Sequence, residues 1–454
     1  MGSNRLPMIA AMARVPRQAA VELADTPKDG ASTRSLSTLL RQSWTQAPLL
    51  ASVLHPEANS FGVLRLMLAL AVLISHAVFL ATGANGAEPL VAWTGYSLGQ
   101  YGVQGFFILS GILVTQSLVS RGDIMDYGRA RALRIFPALI FCVLFTVVLL
   151  GPALSSLSGL DYLTSPGVAA YIVKTLSLST GSAPLPGLFE SNPVAGVVNQ
   201  SLWTLKYEVT CYAIVAGLAA VLWQLKASRQ VVGALLALWA ALMLAVAPNL
   251  HHGGGFRDTL AYFTLFFGTG VAAFLLRDKL RLSWQPLPAL VAFFLVARRS
   301  DLAEFASAGL LGYGLLWLAT FRFGPLRRAT NASDLSYGTY IYSFPVSQTL
   351  LHVWPGLNLV SLIATTLAIT LLLAFLSWEL IERPALGLVH SWRAGHRIAP
   401  TRTEPTAPDA IPDQQADAGV SCDPAEPAVV SLSASLLDAR LAKIAGGARR
   451  AAMG

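Results

Sequence analysis

The segment FGVLRLMLALAVLISHAVFL, residues 61–80, decides the fold, because it is an almost unbroken apolar run in which Arg65 and His76 are the ionisable residues. An α-helix of about 20 such residues is long enough to cross the ~30 Å hydrocarbon core of a bilayer. Similar segments recur along the chain, so the sequence predicts an all-α fold, a polytopic transmembrane helical bundle of about ten spans. The predicted spans are residues 62–82, 99–119, 134–151, 204–224, 230–248, 259–276, 285–297, 303–321, 335–353 and 358–381.

The composition also indicates a membrane protein. Of the 454 residues, 54% are hydrophobic and 12% are charged, and the mean hydropathy is +0.57. A soluble chain carries about twice that share of charged residues, so soluble enzymes, secreted disulfide scaffolds and fibrous proteins are excluded. The net charge of +8 lies in short loops and not in a basic stripe with interleaved aromatic residues, so we expect no nucleic-acid partner. The three cysteines have neither metal nor disulfide spacing, and we expect no metal.

The basic residues predict the orientation. With a cytoplasmic N-terminus, the even-numbered loops and the start of the C-terminal tail hold fifteen Arg and Lys residues and the opposite side holds five, as the positive-inside rule requires. We therefore expect an integral protein of the bacterial inner membrane with both termini in the cytoplasm. Residues 1–60 are expected to be a loosely ordered tail, 61–390 the transmembrane domain, and 391–454 a disordered tail. The short segment 285–297 contains two prolines, and whether it spans remains open.

Two ionisable residues in the first span are candidates for function. Charged groups in hydrocarbon are costly, so they usually mark functional sites. His76 follows Arg65 by eleven residues, which is close to three helical turns, so both side chains are expected on one face. The structural alternatives are that Arg65 extends to the membrane interface and that His76 hydrogen-bonds between helices.

Glu208 opens the fourth span, in LWTLKYEVTCY. Its predicted depth differs from that of His76 by only about 3 Å, so we expect the two side chains to meet. A neutral histidine beside a carboxylate can take a proton from a hydroxyl group. The alternatives for Glu208 are an ion pair with Lys206 or a place at the mouth of a cavity.

Arg131 and Arg134 stand three residues apart at the entry of the third span, in DYGRARALRIFPAL. That spacing places both guanidinium groups on one helical face, where they could bind phosphate oxygens. The alternative is that they serve only as a signal for membrane orientation.

Five segments, in their order along the chain, are more specific together than any of them alone. They are the pair Arg65 and His76, GVQGFFILSGILVTQSL at 102–118, the pair Arg131 and Arg134, WTLKYEVTCY with Trp203, Glu208 and Tyr212, and SYGTYIYSFPV followed by SWELIERP. Over about residues 61–386 the chain resembles the integral membrane acyltransferases of the acyltransferase-3 type. Those enzymes move acyl groups from acyl-coenzyme A to sugar hydroxyls.

This resemblance implies roles for individual residues. His76 would belong to the catalytic centre, Arg65 would support it or the donor, and Arg131 and Arg134 would contact coenzyme A. Ser343 stands where the family usually has His, so it cannot act as a base but could hold a substrate hydroxyl. Trp203 and Tyr212 are the other substrate-binding candidates, and Glu208 is the second catalytic candidate.

We therefore expect an O-acyltransferase that moves an acyl group, most plausibly acetyl, from acyl-CoA to a hydroxyl of a surface or exported carbohydrate. The expected partners are that carbohydrate and the lipid bilayer. A transporter or flippase for a glycan or small anionic substrate is the alternative, in which the buried charges would line a pathway. A scaffold whose polar residues only pack helices is a third possibility. The sequence determines neither the sugar nor the oligomeric state.

Overall fold

The computed structural model describes residues 36–388, except residues 56, 85, 181, 182 and 251–253. The chain divides into two units, Met1–Ala47 and Pro48–Gly454. In the first unit, the described part is the helix Leu36–Gln46. The predicted C-terminal tail and most of the predicted N-terminal tail lie outside the described residues.

Each of the ten predicted spans overlaps a helix, but the third helix begins at Ile124 and not at 134, because the Asp123 side chain caps it there. The ten helices are α1 (Phe61–Thr82), α2 (Leu98–Arg121), α3 (Ile124–Leu144), α4 (Leu205–Gln224), α5 (Arg229–Ala245), α6 (Phe256–Leu275), α7 (Pro286–Ala297), α8 (Ala303–Leu318), α9 (Ser336–Val353) and α10 (Leu359–Ser377). Shorter α-helices are Leu50–Val53, Pro89–Thr94, Gly151–Leu154, Gly159–Thr164, Pro166–Leu176 and Gly324–Ala332. Phe145–Leu150 and Trp378–Glu382 form π-helical turns, and Gln200–Thr204 and Ala247–Asn249 form 3-10 turns. Within the described ranges the chain forms no β-strand, so the all-α prediction is confirmed.

Among the described residues, six helical segments, of 20 to 31 residues, are long and apolar enough to cross a membrane. They contain α1, α2, α3, α4, α6 and α10. The helical membrane bundle is thus supported, while the count of ten spans stays a prediction. Helix α7 has only 12 residues and α8 has 16, so each is shorter than a perpendicular span requires.

Helix α9 has a different composition because protein surrounds it. Its sequence, SYGTYIYSFPVSQTLLHV, is rich in hydroxyl side chains, yet most of its residues are buried. Neighbouring segments satisfy some of these groups: the Ser347 hydroxyl, for example, lies 3.1 Å from that of Thr366 on α10. A helix in this position needs small and polar side chains for interhelical contact and not an apolar surface for lipid.

Glycine allows the closest helix crossing, between α2 and α6. A Cβ atom on Gly111 would overlap the backbone oxygen of Phe267, and one on Gly270 would overlap that of Ile108. The two backbones therefore touch, as is typical where small residues meet in membrane helices. This contact fixes α2, which forms one wall of the candidate site.

Candidate active site

A cavity of about 90 Å³ lies among α1, α2, α3, α4 and α9. That space holds more than one water molecule. Its lining residues are Arg65, Val103, Phe106, Phe107, Leu109, Ser110, Leu113, Val114, Arg131, Arg134, Ile135, Thr204, Leu205, Glu208, Tyr212, Ser336, Tyr337 and Tyr340. Three guanidinium groups and one carboxylate thus face a largely apolar and aromatic space. The structure brings together Arg65, Arg131, Arg134, Glu208 and Tyr212 around this cavity.

A charged cluster of Arg65, Arg134, Asp334 and Glu382 forms one end of the site. One oxygen of Asp334, Oδ2, lies 2.6 Å from Arg65 Nη1 and 2.6 Å from Arg134 Nη2. Arg134 also reaches Glu382, with Nη1 3.3 Å from Oε2. The other oxygen of Asp334 accepts hydrogen bonds from the backbone N–H and the hydroxyl of Ser336, at 3.2 and 2.6 Å. Arg65 and Arg134 are therefore both neutralised by carboxylates.

The Asp334 carboxyl is ionised at neutral pH. It lies in the loop between the helix Gly324–Ala332 and α9. Burial alone would raise its pKa, but Arg134 and Arg65 oppose that effect and hold the pKa well below its usual value. The two hydrogen bonds from Ser336 act in the same direction as the guanidinium groups. Asp334 therefore stays ionised beside Arg65 and Arg134 at physiological pH.

Arg131 differs from Arg65 and Arg134. Within the described residues, no carboxylate lies at ion-pair distance from its guanidinium group, and its Nε is buried without a hydrogen-bond partner. A buried guanidinium N–H without a partner is costly, and an anion in the cavity would satisfy it. Of the predicted pair Arg131 and Arg134, Arg131 is therefore the residue with unused binding capacity.

Glu208 lies in the first turn of α4 and faces α2. Ser110 on α2 donates a hydrogen bond to its Oε1 at 3.0 Å, and the Tyr212 hydroxyl donates a second. Lys206 does not pair with Glu208, since its Nζ lies 4.9 Å from the centroid of the Tyr207 ring. Glu208 is thus a cavity carboxylate held by two hydroxyl groups.

His76 lies beside the cavity and not in its wall. Its Nδ1 is 3.4 Å from Ser201 Oγ, and the Phe344 ring meets its ring edge-on, with centroids 5.1 Å apart. No hydrogen bond or ion pair joins His76 to Glu208 in the described part of the chain, so the expected contact is not formed. The predicted heights fixed only the axial positions. The rotation of α4, which follows a 3-10 turn, directs Glu208 to α2 instead.

A neutral cluster of His76, Ser201, Thr204 and Tyr340 connects the cavity to the histidine. The Tyr340 hydroxyl donates to the Ser201 carbonyl at 2.7 Å and lies 2.6 Å from Thr204 Oγ1. Tyr340 and Thr204 line the cavity, whereas Ser201 contacts His76. Uncharged groups joined by hydrogen bonds therefore form the other end of the site, opposite the charged cluster.

Two residues predicted to contact substrate, Trp203 and Ser343, pack against other parts of the protein. The Trp203 ring packs on Tyr207 and Phe263, at centroid distances of 5.8 and 5.6 Å. Ser343 is fully buried, and its hydroxyl donates to the Tyr340 carbonyl at 3.4 Å. Neither residue lines the cavity, whereas Tyr212 does.

Sequence reasoning missed the carboxylates of the charged cluster. Asp334 immediately precedes the segment LSYGTYIYSFPV, and Glu382 lies within SWELIERP, at the ends of the last two spans. The available signal was charge balance: several arginines near the same predicted membrane boundary require acidic partners when they are buried. Among the described residues, no group of three or more His, Cys, Asp or Glu side chains is arranged to hold a metal ion.

A protein-family model described as an acyltransferase domain matches residues 59–379. The chain belongs to this acyltransferase-3 family. It is 28% identical to an O-acetyl transferase of Shigella phage Sf6 over 341 residues, which cover 72% of this chain and 96% of the relative. It is 29% identical to nodulation protein 10 of Rhizobium leguminosarum bv. viciae over 360 residues, which cover 73% of this chain and 94% of that protein. No solved structure matches the chain. The family makes the protein an acyl-transferring enzyme of the membrane, in place of the transporter or scaffold alternatives.

Proposed function

We propose that the protein transfers an acetyl group from acetyl-CoA to a hydroxyl group of a surface or exported carbohydrate. The observation that carries this proposal is the unpaired Arg131 in a cavity that also contains Glu208. An O-acetyl transferase among the relatives supports the choice of acetyl, and the family resemblance supports acyl-CoA and the carbohydrate.

The donor is proposed to bind through its phosphates at the charged end of the cavity. Asp334 and Glu382 pair with Arg65 and Arg134, so Arg131 is the cavity arginine with no carboxylate at ion-pair distance among the described residues. A guanidinium group binds phosphate oxygens in a planar fork, which adds geometry to charge. Arg131 then makes the main phosphate contact, Arg134 offers its remaining N–H groups beside it, and Arg65 supports the arrangement.

The acceptor hydroxyl is proposed to lose its proton to His76. A sugar hydroxyl is a weak nucleophile unless a base removes its proton as it attacks. Glu208 assists from the cavity wall, where its charge steadies the developing positive charge, and Tyr212 contacts substrate beside it. The packing of Trp203 and Ser343 favours structural roles for these two residues.

The protein is proposed to lie in the bacterial inner membrane with both termini in the cytoplasm, so that donor enters from the cytosol. The distribution of basic residues supports this orientation. Reporter fusions after residues 180 and 395 test it. We expect an external signal at the first position and a cytoplasmic signal at the second, and an external signal at the second would overturn the topology.

The proposed donor site is tested with membranes that contain the protein and radiolabelled acetyl-CoA. Arg131→Ala should raise the apparent KM for acetyl-CoA about 10- to 100-fold, the effect of losing a hydrogen bond to a charged group. Arg129→Ala is the matched control, because Arg129 lies on the same helix, is 46% exposed and pairs with Asp126 outside the cavity. An unchanged KM in Arg131→Ala, at equal protein content, would overturn the donor assignment.

A further inference from the structure

Ser201 is the hydrogen-bond partner of His76 in the part of the chain that the structure describes. Its Oγ lies 3.4 Å from Nδ1, a long hydrogen bond of the kind that tightens when substrate fills an active site. The sequence suggested Glu208 for this place, but the two hydroxyl donors of Glu208 are Ser110 and Tyr212.

The turn that carries Ser201 is fixed to α9 at two points. The Tyr340 hydroxyl donates to the Ser201 carbonyl at 2.7 Å. The side chain of Asn199 donates from Nδ2 to the carbonyl of Ile341 at 2.8 Å. Ser201 is only 1% exposed, so its hydroxyl has little freedom to turn away from the histidine.

Helix α9 also fixes the imidazole ring from another side. The Phe344 ring meets the His76 ring at 81°, with centroids 5.1 Å apart. Phe344 stands one helical turn beyond Tyr340 on the same helix. One element thus positions both the ring and the hydroxyl group that contacts it.

In a neutral imidazole one ring nitrogen carries a hydrogen and the other has a free lone pair. A hydrogen-bond acceptor beside one nitrogen keeps the hydrogen there, so that the other nitrogen has the lone pair. When Nδ1–H donates to Ser201 Oγ, Nε2 keeps the lone pair. The same hydroxyl oxygen still accepts that hydrogen bond when the ring becomes imidazolium, so the contact persists through proton transfer.

We infer that Ser201 orients His76 as the general base, by accepting a hydrogen bond from Nδ1 so that Nε2 faces the acceptor hydroxyl. This inference rests on the proposed function of His76. As the acceptor oxygen bonds to the acyl carbon and the carbon–sulfur bond breaks, the hydroxyl proton passes to Nε2. The imidazolium then returns that proton to the departing thiolate of coenzyme A. Ser201 touches the base and not the substrate, so it is a positioning residue.

The first test separates kcat from KM. Ser201→Ala should lower kcat about tenfold, the upper range for one neutral hydrogen bond, and leave the KM for acetyl-CoA unchanged. Ser201→Thr keeps the hydroxyl group and should restore most of kcat. Ser347→Ala is the control, since Ser347 is also fully buried but bonds to Thr366 away from the histidine. A wild-type kcat in Ser201→Ala, or no rescue by Thr, would overturn the inference.

The second test is a double-mutant cycle with His76→Gln. If Ser201 acts through His76, adding Ser201→Ala to His76→Gln should change the residual kcat less than twofold, because the base is already lost. An equal fractional loss in both backgrounds would show that Ser201 only packs, and would overturn the inference. Near-normal turnover in His76→Gln alone would instead overturn the base assignment of the proposed function.

Discussion

The two ends of the site are built from opposite kinds of interaction. Two arginines and two carboxylates in ion pairs form the charged cluster, whereas hydroxyl groups, a carbonyl and an imidazole in neutral hydrogen bonds form the neutral cluster. An ion-pair network beside Arg131 suits the binding of an anion, since it keeps guanidinium groups charged and rigid in a poorly solvated space. A neutral immediate surrounding suits proton transfer, because a charged group in direct contact would favour one protonation state of the base, whereas Glu208 acts from the cavity wall. The comparison predicts that mutations at the two ends change different quantities.

The largest effect is expected at the neutral cluster. His76→Gln keeps size and hydrogen bonding but removes basicity, so turnover should fall about 10²- to 10⁴-fold. Membrane insertion and acetyl-CoA binding should stay at wild-type levels, because the charged cluster is untouched. Initial rates with labelled donor and a donor-binding isotherm measure the two quantities. Near-normal turnover would identify His76 as a packing residue.

The next effect is a loss of stability at the charged cluster. Asp334→Asn removes the carboxylate shared by Arg65 and Arg134 and leaves buried charge without compensation, which costs about 3–5 kcal/mol. We expect a lower Tm in detergent. Asp126→Asn is the control, because that carboxylate is 35% exposed and its pair with Arg129 is worth at most about 1 kcal/mol. Equal melting shifts in the two variants would contradict the structural role of the cluster.

A smaller effect separates charge from geometry at Arg131. Arg131→Lys keeps the positive charge but replaces the planar fork with a point charge, so the KM for acetyl-CoA should rise several-fold while kcat changes little. That rise should be smaller than the rise in Arg131→Ala. Steady-state kinetics with varied acetyl-CoA measure both values. A lower kcat with an unchanged KM would contradict the assignment of Arg131 to donor binding.

The smallest effect concerns pH. The folded state lowers the pKa of Asp334, so this residue contributes stability above its unfolded pKa of about 3.9 and loses that contribution as pH falls through its folded pKa. In a Glu382→Gln background, which removes the second carboxylate of the cluster, the Tm difference made by Asp334→Asn should therefore be constant between about pH 6 and 8. It should shrink only in strong acid. A difference that varies across the neutral range would mean that another group in the cluster titrates there.

Most helix ends followed from apolar run length, because hydrocarbon thickness fixes how many residues a span needs, but α3 begins earlier than expected, at Ile124. The first span was expected at 62–82, and α1 is Phe61–Thr82. The hydrogen-bond partners of the side chains could not be predicted in this way. The rise per residue gave the height of Glu208 and His76, but no sequence rule gave the helix rotation that turns Glu208 to Ser110. The Asp334 network joins residues that are far apart along the chain, since Arg65 is 269 positions and Arg134 is 200 positions from Asp334. A single sequence does not encode such contacts as a local pattern.

The central claim is that acetyl passes from acetyl-CoA to a carbohydrate hydroxyl with His76 as the general base, and isotope transfer tests it most directly. Membranes with wild-type protein or His76→Gln are given acetyl-CoA labelled in the acetyl carbonyl carbon, and the cell-surface carbohydrate is then examined by NMR. We predict an ester carbonyl signal on one sugar hydroxyl with the wild-type protein and none with His76→Gln. Equal labelling by the two proteins, or donor hydrolysis with no label on carbohydrate, would contradict the claim.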